Sequence, residues 1–219
     1  MADFTTVEIY NLALSQCGSR ALVSDAAENT REAVLCRLWL PLVRKLVVQA
    51  APWPCARKYA RLTSATERDT AEEWADGDPT PARLYSYAKP TDLLHPIHLQ
   101  SYGRFEYLSG RISCDEEDPI LYYNRDVETV SEWDPQLQLA VIHMLAARIA
   151  RPLTGKSAII QENFEIAMNG IEQMKVTVAN MQDTQMERMP DHLAAAGHQL
   201  AVPLRYIYPF AVINAEASA

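Results

Sequence analysis

Glycine is scarce in this chain, 7 residues against 13 prolines in 219. That scarcity argues against an enzyme that cradles phosphate in glycine-rich loops. Neither a G-x-G-x-x-G nor a Walker loop occurs, and no G-x-S-x-G turn does. Cysteine is scarce too. Cys17, Cys36, Cys55 and Cys114 stand at least nineteen residues apart, so no C-x-x-C pair and no zinc-like spacing exists. They read as small apolar core residues in a reducing compartment. A basic surplus is missing: 20 Lys and Arg face 28 Asp and Glu, a formal charge of -8. Proteins that grip nucleic acid usually carry the opposite balance, because phosphate neutralisation supplies most non-specific affinity. No apolar run approaches the roughly 18 residues a bilayer span needs. The opening MADFTTVEIYN lacks a basic region followed by an apolar stretch, so no signal peptide is expected. These absences predict a soluble protein made in a cytosol.

What is present is ordinary for a globular chain: 48% hydrophobic and 22% charged residues, enough for one domain or one domain with a small appendage. Thr5-Thr6-Val7-Glu8 fits a capping box, and Val7, Ile9, Tyr10, Ala13, Leu14 and Cys17 follow on one helical face up to a Gly18 stop. A second helix is predicted from near Asp25 to about Ala50, carrying Ala33, Val34, Leu38, Leu42 and Leu46. Pro41 is expected to kink or break it, and Pro52-Trp53-Pro54 to end it.

The chain then changes character. Between Cys55 and Val130 tyrosines, β-branched residues and turn signals predict strands near 58–62, 84–87, 97–99, 105–108, 111–113 and 120–124. Ser109-Gly110 reads as a two-residue hairpin turn, and Thr66 to Pro81 as an acidic solvent loop. Asp134-Pro135 opens a third helix, with Asp134 as N-cap. Leu139, Val141, Ile142, Leu145, Ala146, Ile149 and Leu153 cover over half its circumference, which predicts a central, buried helix ended by Pro152 and Gly155. A longer, more polar helix is expected at about 157–181, then an extended tail. The fold class is therefore α+β, mainly α. Residues 1–54 and 134–182 make a discontinuous helical bundle, 55–133 an inserted small antiparallel β unit with loops, and 183–219 an extended C-terminal tail.

Few residues suggest chemistry. His95-Pro96-Ile97-His98 lacks a further ligand nearby, and with His192 and His198 reads as ordinary surface or turn histidine. The run Asp115-Glu116-Glu117-Asp118 lacks the glycine-punctuated spacing of an EF-hand and reads as a solvated tip. No catalytic residue and no metal site is expected. Arg148 and Arg151 edge the third helix's apolar stripe. They are candidates for pairing across a subunit boundary, or else for a within-chain ion pair or plain exposure. In the tail, Leu200, Val202, Leu204, Tyr206, Ile207, Tyr208 and Phe210 need a surface to cover, either this chain's core or a neighbour's.

Several pieces together resemble the head-to-tail adaptor family of tailed bacteriophages, the tail tubular protein A type. They are Ile9-Tyr10-Asn11-Leu12-Ala13-Leu14 with Gly18, the second-helix piece Asn29 to Cys36, and Pro52-Trp53 before a strand over Ala56 to Leu62. Tyr85-Ser86-Tyr87-Ala88-Lys89-Pro90-Thr91-Asp92 is similar to the family's Tyr-x-Tyr-x-x-Pro-x-Asp. Ile120-Leu121-Tyr122-Tyr123 and Trp133-Asp134-Pro135 come next. Leu145-Ala146-Ala147-Arg148-Ile149-Ala150-Arg151-Pro152-Leu153-Thr154 is close to its Leu-Ala-x-x-x-Ala-x-Pro-Leu-Thr. The resemblance covers roughly residues 5 to 180. The pattern departs at Cys55, where a larger residue is usual, and at His95, where the family often has Arg.

The resemblance implies a structural virion protein, synthesised in the host cytoplasm, with no cofactor and no membrane contact. Such proteins form a ring, commonly dodecameric, in the neck between the capsid portal and the tail. Partners would be other copies of the chain, the portal protein, and tail nozzle, tail tube or tail fibre proteins. Genomic DNA would pass through the ring without sequence-specific binding. Asp115, Glu116, Glu117 and Asp118 are then candidates for an acidic tip or channel wall that repels phosphate. Arg148, Arg151, Leu204, Tyr206, Ile207, Tyr208 and Phe210 are the candidate partner interface. Two other classes stand beside this one. A tail-associated enzyme such as a peptidoglycan hydrolase would draw on Glu106 and the carboxylates at 115–118. A helical regulatory or scaffold module would stay monomeric.

Overall fold

The computed structural model describes residues 4–63, 65–67 and 83–186. Its first helix, α1 (Thr6–Gln16), is fixed at both ends by local chemistry. Thr5 Oγ1 accepts the Glu8 amide proton at 3.3 Å, and the Glu8 carboxylate accepts the Thr5 amide proton at 2.7 Å. At the far end Gly18 takes φ +74°, so its amide reaches Ser15 O and the next amide reaches Leu14 O. That pair of bonds is the Schellman closure, and it needs a residue that tolerates a left-handed conformation.

Helix α2 (Arg31–Ala50) begins later than the sequence predicts. Asp25 caps a turn instead: its carboxylate accepts the Ala27 amide proton at 2.9 Å, and its carbonyl accepts that of Glu28. Glu28 in turn takes the Ser24 amide proton at 3.0 Å. With these donors used locally, helix starts at Thr30, whose hydroxyl accepts from Ala33. Pro41 does not break α2, which runs on unbroken to Ala50.

Helices α3 (Pro135–Leu153) and α4 (Ser157–Met186) complete the helical part. Ten residues of α3 are buried, so it is the bundle's central helix. Two expectations for it need correction. Leu139 belongs to the exposed side rather than the apolar stripe. Pro152 does not stop the helix; it sits in the last turn, and Gly155, at φ +65°, lies beyond the end. The helical core joins Ile9, Ala13, Leu14 and Cys17 of α1, Val43, Val47 and Val48 of α2, the inner face of α3, and Ala167, Ile171, Met174 and Val178 of α4. Residues Met1–Val178 form one compact unit; of the second, Ala179–Ala219, only the end of α4 is described.

The chain leaves the bundle after α2 and returns before α3, and each crossing is held by a tryptophan. Trp53 donates its indole proton to Val47 O at 2.8 Å; Trp133 donates to Val127 O at 2.9 Å. Both rings are buried. Asp134 holds the crossings together. It occupies the N-cap position of α3, as expected, but its carboxylate makes no bond within that helix. It accepts the Cys55 amide proton at 3.0 Å instead.

Between the crossings lie two antiparallel sheets rather than one. In the first, β1 (Arg57–Arg61), β7 (Ile120–Arg125) and β4 (Leu93–Leu99) pair in the order β1-β7-β4. In the second, β2 (Thr66–Glu67), β3 (Tyr85–Ala88), β6 (Arg111–Cys114) and β5 (Phe105–Leu108) pair in that order. So the segment expected to be solvent loop from Thr66 begins as a short strand; residues 68–82 lie outside the described residues. Ser109 at φ 50° and Gly110 at φ 76° form the hairpin turn that the sequence predicts. Alternation along the strands sends Leu93, Leu99, Leu121 and Tyr123 of the first sheet toward Tyr87, Ile112 and Cys114 of the second. They make a small core of their own.

Two contacts tie this β unit to the helices. Asn124, buried on β7, donates from Nδ2 to Val48 O and Ala51 O, each at 2.8 Å, where α2 ends. Arg44 of α2 is buried against Asp126 at 2.9 Å, with Glu128 at 3.4 Å.

Candidate functional site

The residues that carry the family resemblance are mostly bound to one another. Tyr87 donates its hydroxyl proton to Glu116 O at 2.8 Å and accepts the Asp118 amide proton at 2.9 Å. Asp92 accepts from the Tyr123 hydroxyl at 2.8 Å and from Lys58 at 2.7 Å. Burial pushes the Asp92 carboxyl up, but these two donors outweigh it and hold it below the ordinary value. Tyr123 is pushed up, first by burial and then by Asp92. Thr154 Oγ1 closes onto Ala150 O at 3.0 Å, and Arg31 of α2 reaches Pro152 O at 2.6 Å. These side chains pin strand to loop and helix to helix.

The cysteines behave as core. Cys17 donates to Ala146 O, and burial pushes its thiol up to about 11, and that of Cys36 to about 12. Thiols held so high are protonated at neutral pH and poor nucleophiles.

The acidic run at 115–118 lies in the loop between β6 and β7, and it is more tied down than a free tip. Asp115 accepts from Arg83 at 2.7 Å and from the Leu84 amide. Glu116 accepts from Ser101 and crowds Gly103, where an added Cβ would fall 2.0 Å from its Oε1. Glu117 and Asp118 are exposed. Arg83 also lies 3.7 Å from Glu106, so this one guanidinium stands between the two carboxylates nearest to an acid–base pair. Among the described residues no group of three or more His, Cys, Asp or Glu gathers to hold a metal ion.

His95 and His98 lie on β4, not in a turn. His98 is sandwiched between Tyr122, with ring centres 4.8 Å apart, and Tyr102, at 5.0 Å, both nearly parallel; Tyr59 continues the row beyond Tyr122. Burial, with Arg57 as a second cause, holds His98 below its ordinary 6.5. A histidine with a depressed native value takes up its proton later than the unfolded chain does. Its contribution is therefore intact above 6.5 and is lost as pH falls below that value. His98→Phe, which keeps the ring stack, should flatten the loss of stability just below pH 6.5. Urea midpoints at pH 7.5 and 5.5 measure this; equal pH slopes in variant and parent would refute it.

The strands β1, β4 and β7 of this first sheet contain Arg57, Lys58, Arg61 and Arg125 but no Asp or Glu. The net negative charge is thus carried by other parts of the chain.

Arg148 and Arg151 are both exposed on the last turns of α3. Arg148 helps line a shallow hollow of about 230 Å³ together with Ala147, Ser157, Ile160, Gln161 and Phe164. The tail candidates Leu204, Tyr206, Ile207, Tyr208 and Phe210 lie outside the described residues, as do His192 and His198.

The strongest surface feature is on α2. Ala33, Cys36, Leu40, Val43, Val47 and Val48 face the core, as amphipathic spacing requires. A second apolar row, Val34, Leu38, Leu42 and Leu46, runs along its other side and is 41%, 67%, 51% and 42% exposed. Neighbours four apart stand one above the other on a helix, so these four make a continuous stripe about 18 Å long at 1.5 Å rise per residue. The signal was in the sequence: α2 is apolar on two sides, yet α3 is the central helix. Isolated exposed apolar residues are normal; an aligned row is a candidate interaction surface. Among the described residues no helix is long and apolar enough to cross a membrane. No protein-family model matches the chain, and no curated protein matches it.

Proposed function

We propose that this protein is a structural subunit of a phage head-to-tail adaptor ring, joining the portal to the tail and surrounding the path of the DNA. The observation that carries the reading is the exposed α2 stripe, on a fold whose family-like polar residues are taken up in structural bonds rather than converging on a cleft. A subunit built for assembly needs such a surface; a hydrolase needs two carboxylates in contrasting environments. Glu106 and Asp115 instead share Arg83. The motif resemblance in α1, the crossing tryptophans and the end of α3 supports the same reading. In the proposed assembly the C-terminal residues Leu204 to Phe210 cover the portal or a neighbouring subunit.

Light scattering of the full chain, alone and mixed with the cognate portal ring, tests this. The expected result is a defined ring bound to the portal. A chain that stays monomeric and ignores the portal would overturn the proposal.

A further inference from the structure

We propose that the hollow where α3 ends and α4 begins docks an acidic peptide segment of a partner protein. One apolar side chain of that segment fills the hollow, and its neighbouring carboxylates meet Arg148, Arg151 and Lys156. The inference goes beyond the ring reading and uses no part of it.

Charge singles out this place. The chain carries 28 Asp and Glu against 20 Lys and Arg, yet from Pro135 to Gln161 it has no acid at all. The Lys and Arg of that stretch are Arg148, Arg151 and Lys156, all exposed. Arg148 and Arg151 stand one turn apart on α3 and so share a side of the helix. Lys156 lies at the turn into α4, next to Ser157, which lines the hollow. Among the described residues none of the three has an ion pair, whereas Arg44, Lys45, Lys58, Arg83, Arg125 and Lys175 all do. Arg31 of α2 brings another exposed guanidinium to this end, held by Pro152 O at 2.6 Å. The acids nearest in the fold are few. Glu32 is half-buried in the first turn of α2, and Glu162 and Glu165 are exposed on α4. Glu165 accepts from Gln161 at 3.0 Å, two turns along α4 from Ser157. The field thus runs from positive at the turn to negative along α4, which orients an incoming segment with its carboxylates toward the turn.

Shape selects a peptide as the occupant. The hollow, of about 230 Å³, is lined by apolar Ala147, Ile160 and Phe164 and edged by Arg148, Ser157 and Gln161. An engineered apolar cavity of about 150 Å³ admits benzene, so there is room for one Leu- or Phe-sized side chain. An apolar floor rimmed by guanidinium groups suits an apolar anchor next to carboxylates, which the planar fork of arginine grips by two hydrogen bonds. A nucleic-acid backbone would use the cations and leave the apolar floor unfilled.

Fluorescence anisotropy of the full chain with three labelled hexapeptides tests this, each built of Asp and Glu around one central Phe, Leu or Trp. At least one should bind with a Kd below about 200 µM at low salt. Replacing its apolar residue by Ser, or its acids by the amides, should weaken binding about tenfold or more. Arg148→Gln with Arg151→Gln should cost about tenfold, and Phe164→Ser about fivefold. Lys175→Gln, further along α4, should leave binding unchanged. Circular dichroism checks the folding of each variant, and Phe164→Ala replaces Phe164→Ser if that one does not fold. No binding by any of the three peptides up to about 1 mM overturns the inference. So does a Ser-containing peptide that binds as tightly, since bare charge attraction then suffices. Variants without effect overturn it too, because the peptide then binds elsewhere. A thymidine oligonucleotide that binds more tightly than every peptide, and is lost in the same variants, overturns it in favour of nucleic acid. Peptide binding by a chain that ignores the portal leaves this inference standing and removes the adaptor function; portal binding without peptide binding does the reverse.

Discussion

Replacing Trp53 by alanine is expected to lower the unfolding free energy by about 3–5 kcal/mol, the range for emptying a large aromatic site in a core. The ring is fully buried where the chain leaves α2, and its indole proton is bonded to Val47 O. Truncation therefore opens a cavity and also leaves a buried carbonyl without its donor. Trp53→Phe separates the two effects, since it keeps most of the apolar volume and loses the hydrogen bond. It should cost less than half as much. Chemical denaturation followed by circular dichroism measures both. If Trp53→Ala unfolds within about 1 kcal/mol of the parent, the crossing is not the anchor described above.

The second large effect is expected at Asn124. Asn124→Leu keeps similar bulk and removes both donors, leaving Val48 O and Ala51 O unpaired at the buried end of α2. An unsatisfied buried acceptor costs about 1–3 kcal/mol, so the pair should cost about 2–4 kcal/mol. Part of this is offset, because Asn124 Oδ1 itself has no partner and its loss is favourable. The diagnostic feature is where the damage falls. Hydrogen exchange should accelerate in the last turn of α2 and in β7, while α1 keeps its protection. Uniform acceleration throughout the helices would show that Asn124 is not a local clasp between sheet and bundle.

These predictions turn on contacts that no local reading finds. Asn124 lies 76 residues from Val48, and Asp134 lies 79 residues from Cys55. Asp134 followed by proline has the pattern of a helix cap, and the position is right. Its carboxylate goes elsewhere because the other crossing strand presents a free amide proton beside it. The start of α2 shows the converse. Asp25 and Glu28 look like a capping box, but Ser24, Ala27 and Glu28 close a turn through the same groups, and Thr30 is left to begin the helix. Two local structures compete there for one set of donors.

What the sequence by itself determined is whatever is decided within a few residues. The Thr5–Glu8 capping box, the Gly18 stop and the Ser109-Gly110 turn all formed as read. Each depends on backbone dihedrals and on neighbours one turn away. The α+β, mainly α class follows from the same short-range periods. Tertiary structure alone decided the rest: the split of the β unit into two facing sheets, the stacking of His98 between Tyr102 and Tyr122, and above all which of α2's two apolar rows is buried. Both rows satisfy helical spacing equally well. The choice is made by α3, which has room for one of them against its side and leaves Val34, Leu38, Leu42 and Leu46 facing outward.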